Sequence, residues 1–173
     1  MRTELLTRLN PASAKTEYSP SGRPEIDREA VLFALSGLHR AQLGLAFVLS
    51  GEDREKHQVW AGLINKSLYS RHYRSKAHKA RVESLCHLAI EEFTTRPICK
   101  LCNGAKVIAA QGYKICNSCS GTGLKPYSDS KRARYIGRHH SNWATYRDLY
   151  GYLMEVLQSW QDEIDKRLNK RIQ

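Results

Sequence analysis

One stretch constrains this chain more than any other: CKLCNGAKVIAAQGYKICNSCSGTG, residues 99–123. It holds four of the five cysteines, as CxxCxG, thirteen residues from Cys102 to Cys116, then CxxCxGxG. A CxxC turn aims two sulfurs at one point. Two such turns joined by a hairpin bring four thiolates into a tetrahedron. Cys99, Cys102, Cys116 and Cys119 are therefore expected to hold one structural Zn2+ per chain. Gly104 and Gly121 each follow the second cysteine of a pair by two, where the backbone must curl at φ > 0 so that amides can face sulfur. Lys100, Lys106 and Lys114 offset the negative charge of a zinc tetrathiolate. Four thiolates leave the metal no open position, which argues against a catalytic site. Disulfides suit an oxidising compartment, and a redox CxxC usually stands alone beside a βαβ pattern; neither context is found here. The fifth cysteine, Cys86, lies on an apolar helical stripe and reads as a small buried hydrophobe.

The charge of the chain is concentrated around this module. There are 28 Lys+Arg against 17 Asp+Glu, a formal +11. Residues 96–147 contain ten basic residues and one acid, Asp129, a net +9. A basic face of that density suits a polyanion, nucleic acid foremost; a merely solvated surface is the alternative. Residues 56–82 contain no acid, but seven Lys/Arg and three His. There, RHYRSKAHKAR is either a second polyanion contact or the solvated side of two helices.

Apolar spacing organises the rest. Val31, Leu35, Leu38, Leu45 and Leu49 predict a helix over residues 27–50 with Gly51 as its stop. A second helix is expected over 53–69, with Trp60, Leu63, Ile64 and Leu68 inward. A third is expected over 75–93, with Val82, Leu85, Cys86, Ala89, Ile90 and Phe93 inward and Pro97 beyond its end. Tyr146, Leu149, Tyr150, Leu153, Leu157, Trp160, Ile164 and Leu168 make one long stripe from about residue 141, a helix of roughly seven or eight turns with Gly151 as the candidate place for a break. AKVIAAQGYKI reads as a short hairpin inside the cysteine module. No stretch has the length of a membrane span, and the N-terminus lacks the apolar run of a signal peptide, so a cytoplasmic protein is expected. The expected fold is mainly α: a helical bundle with an inserted four-cysteine, zinc-ribbon-like module and a helix-turn-helix-like segment. Its parts are a flexible leader (1–26), an N-terminal helical region (27–96), the zinc module (97–125) and the segment with the long C-terminal helix (126–173).

The helix-turn-helix expectation rests on KRARYIGRHHSNWATY. Ala133 and Gly137, four apart, let two helices approach and the chain turn between them. Ile136, Trp143 and Tyr146 take core positions, and Ser141 is the expected N-cap. Lys131, Arg132, Arg134 and Arg138 are expected on phosphate. The second helix presents Ser141, Asn142, Thr145 and Arg147, with Asn142 and Arg147 as candidate base readers. His139 belongs to the same face, although it and Arg132 stand where apolar residues are usual.

The cysteine pattern is locally similar to the cysteine-rich region of DnaJ-type co-chaperones, but those carry four repeats and an HPD tripeptide. It is also similar to zinc-braced HNH nucleases, but there the His pair lies between the cysteine pairs, whereas His139 and His140 follow both. Taken in order, the parts resemble the Q antiterminator family of lambdoid bacteriophages, most sharply over residues 75–150. The resemblance implies that Cys99, Cys102, Cys116 and Cys119 are the zinc ligands and that residues 130–147 contact double-stranded DNA. It further implies no enzymatic activity, binding at a phage late promoter, engagement of host bacterial RNA polymerase with or without its sigma factor, and suppression of pausing and termination at the RNA exit channel. The basic run of Arg71, Arg74, Lys76, Lys79 and Arg81 then becomes the expected contact for polymerase or nascent RNA. Two other readings stay open: a zinc-stabilised DNA-binding regulator that never touches polymerase, and a chaperone-like adaptor.

Overall fold

The computed structural model describes residue 6 and residues 28–68, 76–95, 97–108 and 114–171, with the side chains of residues 28, 76, 77 and 171 excepted. Among them are six helices: α1 (Arg28–Leu35), α2 (Arg40–Leu49), α3 (Lys56–Ser67), α4 (Lys76–Thr95), α5 (Asp129–Tyr135) and α6 (Ala144–Arg171). A two-stranded antiparallel hairpin, β1 (Val107–Ile108) and β2 (Lys114–Ile115), lies between α4 and α5. The mainly α expectation stands, with the cysteine module inserted in the helical chain.

The single helix expected over 27–50 is two. Gly37 turns the chain at φ +81°, and His39 starts α2 afresh. The His39 ring accepts from the Ala41 amide, while the Gln42 side chain accepts from the His39 amide, a reciprocal cap. Apolar spacing alone did not reveal this break, because both segments bury the same kind of stripe. The second helix is shorter than expected: a 3-10 turn (Asp53–Glu55) leads into α3, Val59 and Leu63 are buried, and Leu68, past the helix end, is exposed. The stripe of α4 is buried as expected, joined by Leu88 and Glu92. Leu6, inside the stretch read as a flexible leader, is 1% exposed and part of the core; the rest of residues 1–26 lies outside the described residues.

α6 is the spine. Leu153, Leu157, Ile164 and Leu168 are fully buried, and the helix packs against α1, α2, α3 and α4. No break occurs near Gly151: α6 runs unbroken for 28 residues, and nothing lies within 4 Å of where a Cβ at Gly151 would be. Packing on four neighbours outweighs one glycine's weak helix preference. At Gly62 the closeness is the point. A Cβ there would strike the Ala41 side chain and come within 2.8 Å of the Trp160 ring, so α2, α3 and α6 meet where α3 has no side chain. The far end of α6 is tied down by Arg167, whose Nη1 donates to the Ser36 carbonyl at 2.8 Å.

Candidate functional site

The four cysteines of the module converge. Their sulfurs all lie within 4.8 Å of one another, and all four side chains are buried. The Cys99–Cys116 and Cys102–Cys119 sulfurs are 3.9 and 3.7 Å apart. Tetrahedral thiolates at about 2.3 Å from a zinc ion would stand about 3.8 Å apart, so these two pairs are compatible with such an ion. All the cysteines are free thiols. The backbone builds the cage twice over. Asn103 and Gly104 follow one pair at φ 48° and 84°; Ser120 and Gly121 follow the other at 50° and 78°. The expected curls at Gly104 and Gly121 are therefore present, each with a left-handed residue before it. Gly123, also at positive φ, must stay bare, because a Cβ there would lie 2.7 Å from the Gly104 carbonyl oxygen.

Local hydrogen bonds bias two of the sulfurs, those of Cys99 and Cys119, toward the thiolate form a metal requires. The Gly123 amide donates to the Cys119 sulfur at 3.3 Å. Burial would raise Cys119, but this amide and its other partners bring it below the ordinary thiol value. The Cys102 amide, against burial, draws Cys99 down to about 6. Cys102 is pushed up to about 11 by burial. Cys86 lies apart in the helical core, its thiol raised to about 12 by burial, with Glu83 adding to the effect. It is an inert apolar filler, as its position on the stripe suggested.

The module is closed at its base and bolted to the helices. Ile98 and Leu124 pair across an antiparallel bridge, and the Lys125 amide donates to the Pro97 carbonyl at 2.9 Å. Just beyond, Glu92 of α4 collects four donors. Its Oε1 accepts from the Tyr127 amide at 2.8 Å and Arg132 Nη2 at 2.7 Å. Its Oε2 accepts from Arg132 Nε at 3.0 Å and the Tyr150 hydroxyl at 2.7 Å. Burial alone would raise the Glu92 carboxyl, but these donors outweigh it and hold the carboxyl below its usual range. Neighbouring Glu91 accepts from the hydroxyls of Tyr127 and Tyr135. One acidic pair on α4 thus joins the exit of the cysteine module, α5 and α6. The sequence reading missed Glu91 and Glu92; two acids at the end of an apolar stripe, facing a basic segment, were the signal for them.

The basic segment after the module keeps its expected buried positions, but the helix-turn-helix expected of it is not shown. Ala133, Ile136, Trp143 and Tyr146 are buried as expected, and Gly137 turns the chain at φ +67°. A 3-10 turn (His140–Asn142) separates α5 from α6. Ser141 is not the N-cap of α6: it lies inside the 3-10 turn, whose own N-cap is His139, its ring accepting from the Ser141 amide at 3.5 Å. Arg132 is corrected as a phosphate contact. Its guanidinium turns inward to Glu92 and over the Tyr150 ring, 4.7 Å from the centroid, and its side chain is only 17% exposed. Lys131 is exposed and lies over the Tyr127 ring, Arg134 is exposed, and Arg138 is half-buried. His139, Ser141, Asn142 and Thr145 are all exposed. Arg147 is exposed and pairs with Asp129 at 2.9 Å. Of the earlier basic run, Arg71 and Arg74 lie outside the described residues, Lys76 opens α4, Lys79 is exposed and Arg81 half-buried.

No protein-family model, curated protein or solved structure matches this chain. Fold and site define it as a mainly helical protein with a buried four-cysteine cluster able to hold a metal ion. No helix among the described residues is long and apolar enough to cross a membrane.

Proposed function

We infer that this protein is a zinc-stabilised transcription antitermination factor. On this reading it binds a DNA element at a phage late promoter through the α5–α6 corner. It engages host RNA polymerase through another surface and suppresses pausing and termination at the RNA exit channel. The metal is one structural Zn2+ per chain. Bound there, it would cross-link the two CxxC turns, and the exposed basic corner follows directly from the module it braces.

The observation that carries the reading is the sorting of side chains at that corner. Ala133, Ile136, Trp143 and Tyr146 are buried, so Arg134, His139, Asn142 and Thr145 are left facing solvent. A corner pinned from behind by Glu92 and presenting cations and amides outward suits a duplex groove. With Arg132 committed inward, Lys131, Arg134 and Arg138 remain for phosphate, and Asn142 and Arg147 for bases. Arg147 would have to exchange Asp129 for a base edge.

The test is transcription in vitro by purified bacterial polymerase from a late-promoter template with a downstream terminator. Read-through that rises with added protein and depends on the promoter element supports the reading. A mobility shift without read-through would leave a plain DNA-binding regulator. Neither activity would return the protein to the adaptor class.

A further inference from the structure

Between the cysteine module and α5 lies a groove of about 640 Å³. Two of its lining side chains, Ile98 and Leu101, are 62% and 59% exposed. Leu124, opposite Ile98 across the closing bridge, is exposed as well and extends the apolar strip, since directly opposed residues of an antiparallel pair point to one side. Lys100, Lys125 and Lys131 also line the groove, with Tyr127 among them. No acidic side chain lines it among the described residues. Nor does any of the three lysines pair there with a carboxylate: Lys125 Nζ donates to Ser118 Oγ at 2.8 Å, and Lys131 Nζ sits 3.2 Å from the centre of the Tyr127 ring.

Water-exposed aliphatic side chains gathered in a concave place mark a contact surface more often than scattered ones do. Here the surface is also tied to its surroundings on two sides. The cysteine cage holds it on one side, and the Tyr127 amide is fastened to Glu92 on the other. We propose that this groove is the docking site for an acidic amphipathic segment of a partner protein. Apolar side chains of that segment seat on Ile98 and Leu101, and its carboxylates meet the three ammonium groups. Single-stranded nucleic acid fits less well. Non-specific strands need flat aromatic platforms for stacking. The floor here is aliphatic, and Lys131 occupies one face of the single ring. Three ammonium groups on flexible stems, with no guanidinium, suit charges spread along a peptide rather than one planar phosphate fork. This surface is distinct from the α5–α6 corner except at Lys131, which borders both.

The experiment uses the full-length protein purified with zinc. A phage-displayed library of random peptides is selected on it and counter-selected on Leu101→Glu. Survivors are expected to carry apolar residues three or four apart with a net negative charge. A synthetic survivor should lose about tenfold or more in affinity against Leu101→Ser and against Lys100→Glu. Leu101→Ser should leave metal content and DNA mobility shift unchanged, so failure of the groove and failure of the DNA reading are separable. If Leu101→Glu loses its metal, Lys125→Glu serves as the counter-target. The proposal is overturned if no peptide distinguishes wild type from these variants, or if the survivors lack acidic residues. It is equally overturned if short oligo(dT) binds and that binding, rather than peptide binding, is lost in Leu101→Ser.

Discussion

Replacing Glu92 by Gln keeps the shape of the side chain and removes its charge. In the native arrangement both oxygens only accept: Oε1 from the Tyr127 amide and Arg132, Oε2 from Arg132 and Tyr150. A glutamine must turn its NH2 toward one of these sides. Toward Tyr127 and Arg132 it would meet two N–H donors and nothing to accept. Toward Tyr150 the hydroxyl can rotate to accept, so only the Arg132 Nε bond is lost outright. The amide therefore settles on that side, and the remaining cost is an Arg132 charge whose buried counter-charge is gone. Breaking a fully buried pair costs roughly 3–5 kcal/mol. Arg132 retains 17% of its side-chain exposure, so water recovers part of this, and the expected loss is about 2–3 kcal/mol at neutral pH. The assay is reversible denaturation of Glu92→Gln, Arg132→Gln and the double variant. Their double-mutant cycle should return a coupling of about 1.5 kcal/mol or more. The pH dependence has a definite sign. The Glu92 carboxyl is held below its ordinary value in the folded state, so its contribution is complete above the unfolded carboxylate range. It is lost as pH falls through the folded value. The gap between wild type and Glu92→Gln should therefore be full near pH 7 and shrink on acidification below about pH 4. A gap under about 0.5 kcal/mol at neutral pH, or one that does not shrink in acid, would refute the role given to this carboxylate.

Serine at Cys99, Cys102, Cys116 or Cys119 should abolish stoichiometric zinc and loosen the module, whereas Cys86→Ser should retain the metal; metal analysis of the purified variants decides this. Gly151→Ala should stabilise by about 0.5–1 kcal/mol, since the site is helical and open, and thermal melting should show the gain. Gly62→Ala, the same exchange one helix contact away, should instead destabilise, because its methyl enters the Ala41–Trp160 contact; equal shifts at the two sites would contradict the packing described. Neutralising Arg134 or Arg138 should weaken DNA binding to all sequences and lower the salt slope by about one each, read by mobility shift at several salt concentrations. Asn142→Ala should cost about 1–3 kcal/mol at one position of the DNA site and spare non-specific binding.

The cysteine cage and most helix faces were legible from the sequence because each depends on residues close together along the chain. Two CxxC turns with glycines at fixed offsets leave few ways to arrange the backbone, and the φ values at Gly104 and Gly121 follow from that local demand. The stripes of α4 and α6 repeat every three or four residues, which is how a helix stacks its own side chains. What depends on distant partners was not legible. Arg132 looks like every other cation of a basic run, and only the folding of α4 against α5, forty residues apart, places Glu92 beside it. Gly151 looks like a helix breaker until α6 is seen clasped by four other helices, and Gly62 looks unremarkable until two side chains are found where its Cβ would be. Gly37 and His39 divide one apparent helix into two, because the stripe continues across the turn while the backbone changes direction. Hydrophobic periodicity reports which face a residue takes within its own element. The partner that a buried charge meets, or the space that a glycine yields, is decided only when elements remote in sequence pack together.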